Sequence, residues 1–210
     1  MIWRNFSCWA WRDRFRGSAA HNTIRVDGRN QAVSIPPFVW ADLPAVRILK
    51  VEDGAAFYRI DGECAYSSFR HRRALIFARP DLIWILDVIG GTEGTHNIEQ
   101  FWHPGEPVTA LSGHTLVIGA RAALTLDPGL TLETSEGGEH GWVSNRLLHK
   151  HPAFLLRASV SANLPRVCLS VIDLLPPFTA ATVVAEQTDD GWILKYRGNR
   201  EAQFYLRDFV

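Results

Sequence analysis

The chain has 210 residues, 47% of them hydrophobic and 21% charged, with 22 Lys and Arg against 22 Asp and Glu. It is long enough to bury a core as one large β domain or two small ones. The neutral balance offers no field for a nucleic-acid backbone, and no apolar run reaches membrane-spanning length, although a local cluster of Arg and His would still suit an anionic sugar.

Residues 1–20 lack the sustained apolar stretch of a signal peptide and carry Arg4, Arg12, Arg14 and Arg16. Trp9 to Arg16 is the only stretch that reads as helix, one or two turns long. From Thr23 onward, short β-type runs alternate with Gly, Pro, Asp and Asn. Thr23 to Asp27 closes at Gly28; Val46 to Val51 and Ala55 to Ile60 flank Glu52-Asp53-Gly54. Ala74 to Ala78 leads into Leu82 to Ile89, a run apolar on both faces except at Asp87, as in a strand sandwiched between two layers. Asn97 to Trp102, Leu116 to Ile118, Ala122 to Leu126 and Leu130 to Glu133 follow. After a glycine-rich stretch come Ala153 to Val160, Arg166 to Leu174, Thr182 to Glu186, Trp192 to Arg197 and Ala202 to Arg207. About a dozen such runs at this spacing predict an all-β fold, an antiparallel multi-strand sandwich of stacked sheets with little helix.

Cys8, Cys64 and Cys168 are scattered and odd in number, so they form neither a CxxC zinc or redox motif nor a disulfide framework. Cys168, between Val167 and Leu169, reads as core. His71-Arg72-Arg73 reads as an exposed, solvated start to a strand. His149 and His151 share one face of an extended segment, as a metal pair would, but no third ligand is identifiable nearby, so they read as surface. Asp189-Asp190 and Glu136 with Glu139 read as solvated turn acids.

The densest signal is residues 11–31, WRDRFRGSAAHNTIRVDGRNQ. Small residues 17–20 allow close backbone approach, His21-Asn22-Thr23 puts polar groups at the lip of a strand, and Asp27-Gly28 turns the chain. This stretch resembles the opening of the C-terminal domain of the heparinase II/III-like family, WR-x-x-FRG-(S/T)-x-AHNT-(V/I)-x-VDG-x-x-Q. Weaker likeness continues at Phe38-Val39-Trp40, His71-Arg72-Arg73, Leu82 to Asp87, Phe101-Trp102-His103-Pro104 and Trp142-Val143-Ser144.

The resemblance implies a lyase of uronate-containing polysaccharides such as heparan sulfate and alginate, whose N-terminal α/α toroid and C-terminal sheets enclose the substrate. Its β-elimination needs a base for the uronate C5 proton, a group offsetting the carboxylate charge, and an acid for the departing O4. It implies a single sheet domain over residues 1–210, without the toroid. His21 matches a histidine that is a zinc ligand in members of the family, while the other His and the Asp of that set precede the motif. The family's Asn and Tyr from the toroid are likewise expected outside this chain, and no Tyr occurs in residues 1–57. Arg16, Asn22 and His103 are the expected substrate-binding residues: Arg16 for a carboxylate or sulfate, Asn22 orienting His21 or lining the cleft, His103 at a ligand-facing strand end. The expected function is therefore the sheet domain of a lyase, inactive alone; the alternative is a non-catalytic carbohydrate-binding or structural sandwich. Zinc is expected only in a complete protein and not in the isolated chain. The expected partners are an acidic polysaccharide and the toroid, without nucleic acid, in the cell envelope or secreted.

Overall fold

Runs of β-forming residues closed by Gly, Pro, Asp and Asn fold as strands, and the long apolar run over residues 82–90 lies between two layers. The computed structural model describes residues 6–35, 39–146 and 149–209. A helix α1 (Phe6–Arg16) and a 3-10 turn (Ser18–Ala20) precede β1 (Ile24–Val26), the hairpin β2 (Val33–Ile35) and β3 (Val39–Asp42), and a meander of β4 (Ala45–Asp53), β5 (Phe57–Tyr66), β6 (Phe69–Ala78) and β7 (Leu82–Gly90). Next come β8 (Thr95–Trp102), β9 (Val108–Ser112), β10 (Thr115–Ile118), β11 (Ala122–Leu126) and β12 (Thr131–Glu136). The chain continues through the hairpin β13 (Trp142–Arg146) and β14 (His149–Pro152), then β15 (Phe154–Asn163) and β16 (Arg166–Asp173). Three strands, β17 (Thr182–Thr188), β18 (Gly191–Arg197) and β19 (Glu201–Arg207), complete it.

Most of these strands form three stacked antiparallel layers, while β2–β3 and β13–β14 are separate two-stranded sheets. The middle sheet has the order β4-β5-β6-β7-β16-β11-β10-β9, with β1-β8-β15-β12 on one side and β17-β18-β19 on the other. Strand β7 shows why its sequence is apolar on both faces. Ile85 and Ile89 pack with Ile24, Ile98 and Leu156 toward the four-stranded sheet, while Trp84 and Leu86 pack with Leu194, Tyr196 and Leu206 toward the three-stranded one. Cys168 is fully buried in the first of these cores, as its apolar neighbours suggest.

Asp87 is the exception in β7, and it is fully buried. Its carboxylate accepts hydrogen bonds from Arg73 Nε at 2.7 Å and Nη2 at 2.9 Å, from Gln100 Nε2 at 2.9 Å, and lies 2.6 Å from His71 Nε2. Burial alone would raise this carboxyl; the charges of Arg73 and His71 and their hydrogen bonds outweigh it and hold the group well below the usual carboxylate range. His71 is consequently a buried residue at 6% exposure, not the solvated strand start its sequence suggests. The strand β6 begins at Phe69, and period-two alternation turns His71 and Arg73 inward toward Asp87 while Arg70 and Arg72 reach Glu63 on the opposite face.

Two further differences have physical causes. Helix α1 has 11 residues, longer than one or two turns, because Trp11 docks edge-on against Trp142 at 5.3 Å and tertiary packing stabilises a helix that propensity alone would not. The strands β2, β3, β9, β13 and β14 are short and mostly exposed, so no buried face imprints an alternation on their sequences.

A group whose folded carboxyl is held low stabilises the fold above its unfolded value, and that stability is lost as the pH falls toward the folded value. Stability should therefore decline as pH drops below about 3.8, the usual value for Asp. Asp87→Asn should flatten this acid limb in thermal unfolding followed by circular dichroism. Asp87→Ala should cost about 3–5 kcal/mol at neutral pH, since it leaves the Arg73 guanidinium and the buried His71 ring without the carboxylate they share.

Candidate functional site

The segment 17–31 folds back on itself, which explains why its residue types matter. Asn30 Oδ1 accepts the Ser18 N–H at 2.9 Å, and a Cβ at Gly17 would come within 3.2 Å of the same oxygen. Ser18 Oγ accepts the Gln31 N–H at 2.8 Å, and Gln31 Nε2 donates to Thr23 Oγ1 at 3.0 Å and to the Ile24 carbonyl at 3.1 Å. Asp27 and Gly28 both take positive φ, 50° and 68°, the tight-turn geometry that Asp-Gly tolerates. Asp27 also receives the Asn97 N–H at 2.9 Å, docking the turn onto β8.

This folded segment delivers His21 and Asn22 beside His103, the residue following β8. The His103 N–H donates to Asn22 Oδ1 at 2.7 Å, and Arg73 Nη1 donates to the Asn22 carbonyl at 2.7 Å. A hydrogen-bonded path thus runs from buried Asp87 through Arg73 and Asn22 to His103. His103 Nε2 lies 2.9 Å from the Ala19 carbonyl oxygen. A carbonyl can only accept, so Nε2 carries the proton and Nδ1 keeps its lone pair. Burial lowers the His103 imidazole below the usual value, partly offset by the Ala19 carbonyl and reinforced by His21 and His140 nearby.

Arg16, His21 and His103 line one cleft of about 720 Å³. Its floor is Pro104 to Pro107, and its far wall comes from Glu136, Trp142, Ser144, His151 and Phe154. The wall is held against α1: Lys150 Nζ sits 3.2 Å from the Trp142 ring centroid and 3.9 Å from that of Trp11, and the Arg14 side chain donates to the Glu139 carbonyl. Asn22 is placed behind this cleft, where it braces His103 and borders a smaller, mostly apolar cavity of about 320 Å³.

Three of the four expected site residues therefore converge, and the fourth supports one of them. The cleft also recruits Glu136 and His151, which the sequence presents as a turn acid and a surface histidine. Both lie more than a hundred residues from His21, and only the tertiary fold brings them into the same cleft. None of the four tyrosines (Tyr58, Tyr66, Tyr196, Tyr205) lines the cleft. Tyr66 is pushed up to about 12 by burial, and Tyr196 donates to Asp173 at 3.0 Å. Among the described residues, no three His, Cys, Asp or Glu side chains converge to hold a metal ion. His21 offers one donor where a zinc site needs three or four.

The fold is a stack of antiparallel sheets presenting a cleft lined by Arg, His and aromatic side chains. The chain belongs to the heparinase II/III-like family: the family model described as "Heparinase II/III-like, C-terminal" matches residues 3–203. No curated protein matches it. Among solved structures it is similar to the heparan sulfate lyase HepC from Pedobacter heparinus, at 16% identity and TM-score 0.72 over 98% of this chain and 33% of that one. A mutant of that lyase gives 15% identity and TM-score 0.74 over 100% and 34%, and a structure of heparinase III gives 15% and 0.70 over 93% and 30%. At these identities the likeness establishes the fold, and the chain spans about a third of the length of these structures. Among the described residues, no helix is long and apolar enough to cross a membrane.

The Asn22 brace can be tested directly. Asn22→Ala should leave the His103 amide without its acceptor and speed its hydrogen exchange about tenfold, whereas Asn22→Asp, which keeps an acceptor oxygen, should preserve most of the protection.

Proposed function

We propose that this chain forms the sheet side of the substrate cleft of a polysaccharide lyase acting on uronate-containing glycans by β-elimination, and that it is inactive alone. The observation that carries this reading is the convergence of Arg16, His21 and His103 on one cleft in a member of this family. In the reaction a base removes the C5 proton of the uronate, positive or hydrogen-bonding groups offset the charge growing on its carboxylate, and an acid protonates the departing O4. Arg16 supplies the cationic group. His103, with Nε2–H committed to Ala19, presents an accepting Nδ1 to a sugar hydroxyl, and Asn22 fixes its backbone. The absence of any tyrosine from the cleft supports inactivity, because the family's base is then left to the toroid domain that we take as this chain's partner.

His21 is proposed as one zinc donor, with the remaining donors supplied by segments outside this chain. The named activity of the similar HepC structures favours heparan sulfate over alginate as the glycan, and with it a place in the cell envelope or outside the cell.

Incubating the 210-residue chain with heparan sulfate, alginate or hyaluronan should yield no unsaturated uronate absorbance, while affinity electrophoresis should show retardation by heparan sulfate. Turnover by the chain alone would overturn the proposed inactivity. Failure to bind any of the three would overturn the cleft assignment. Binding that stays unproductive when the chain is joined to a toroid domain would favour a purely carbohydrate-binding sandwich.

A further inference from the structure

We infer that Trp40 is a positioning residue that holds Arg16 ready for the carboxylate of a uronate, making the pair the acid-recognition point of the cleft. This rests on the lyase reading above and names the group recognised.

The inference starts from a contrast among arginines. Arg25 and Arg157 are committed to Glu99, and Arg73 to Asp87, at 2.6 to 2.9 Å. Arg16, the last residue of α1, has no carboxylate partner among the described residues. Its guanidinium carbon instead lies 3.7 Å from the centroid of the Trp40 ring. Trp40 stands on the β2–β3 hairpin, a two-stranded sheet outside the three layers, and is 38% exposed. It belongs to neither of the two large cores, and its ring contact is with Arg16.

A guanidinium stacked on an indole loses rotamer freedom before a ligand arrives, which removes part of the ordering cost of binding. Stacking occupies its face and leaves N–H groups on its edge, and two parallel N–H donors match the two oxygens of a carboxylate. Since Arg16 lines the cleft with His21 and His103, a sugar carboxylate held there would sit beside the imidazoles. Trp40 itself does not line the cleft; it acts through Arg16.

Two measurements test this on the full chain. In a heteronuclear NMR spectrum the Arg16 Nε–Hε resonance should be shifted by the Trp40 ring current; Trp40→Leu should abolish that shift and Trp40→Phe should retain part of it. Binding is then measured calorimetrically with a heparan sulfate tetrasaccharide, its carboxyl-reduced form and its desulfated form. Arg16→Gln should weaken the native and desulfated ligands by about tenfold or more, and Trp40→Leu by about two- to fivefold. Neither change should alter binding of the carboxyl-reduced ligand, which a merely structural role would also weaken. The inference fails, with the lyase reading intact, if the parent binds and both variants bind equally well. It also fails if removing sulfates rather than carboxylates erases their effect, or if Trp40→Leu leaves the Arg16 resonance in place. If the parent binds none of the three ligands, the lyase reading falls and takes this inference with it.

Discussion

A carboxylate sealed between two sheets must be neutralised where it stands, and the placement of Asp87 organises much of the molecule around that requirement. It faces inward from β7, the strand packed on both sides, and draws Arg73 and His71 from β6 and Gln100 from β8 into contact. Those partners tie the middle sheet to the four-stranded sheet by directional bonds, where hydrophobic packing alone would allow the layers to slide. Arg73 then reaches beyond the core to the carbonyl of Asn22, so the ion cluster also sets the height of the segment carrying His21. A buried ion pair is weak evidence for stability, because desolvation offsets attraction. Its contribution here is register.

From that anchor the site is built in two directions. Inward, Asn22 clasps the His103 backbone and Ala19 fixes its ring. Outward, the small residues after α1 let the helix end lie close to the sheet, and the clamp of Trp11, Lys150 and Trp142 holds the far wall in place. The cleft is consequently a seam between elements, made from one helix end, one strand end and one hairpin. Such a seam presents charge, aromatic surface and imidazole side chains together, the surroundings that the proposed acidic polysaccharide would meet.

Much of this was legible in particular stretches of sequence. The unbroken apolar run around Asp87 announced a strand covered on both faces, since both sets of alternate residues had to be buried. Asp27-Gly28 announced its turn through the positive φ that this pair accepts. The motif over residues 11–31 pointed to His21 and Asn22 through its resemblance to the family pattern, and its residues bond largely to one another in the fold. His71 was misread because a histidine beside two arginines looks solvated until the partner across the sheet is known. Trp40, Glu136 and His151 were noticed in the sequence but not given these places, as their meaning lies in neighbours far away in the chain.

By itself, then, the sequence determined the stacked antiparallel fold, the family, and the identity of Arg16, His21, Asn22 and His103 as residues of interest. The fold follows from periodicity, and the family and these residues from the resemblance of a short motif, both of which depend on residues close together in the chain. Only the tertiary structure decided that three of them share a cleft, that Asn22 serves as a brace, and that Arg16 rests on Trp40 without an ionic partner among the described residues. Those outcomes depend on contacts across layers, which are set by how whole sheets stack rather than by any local pattern.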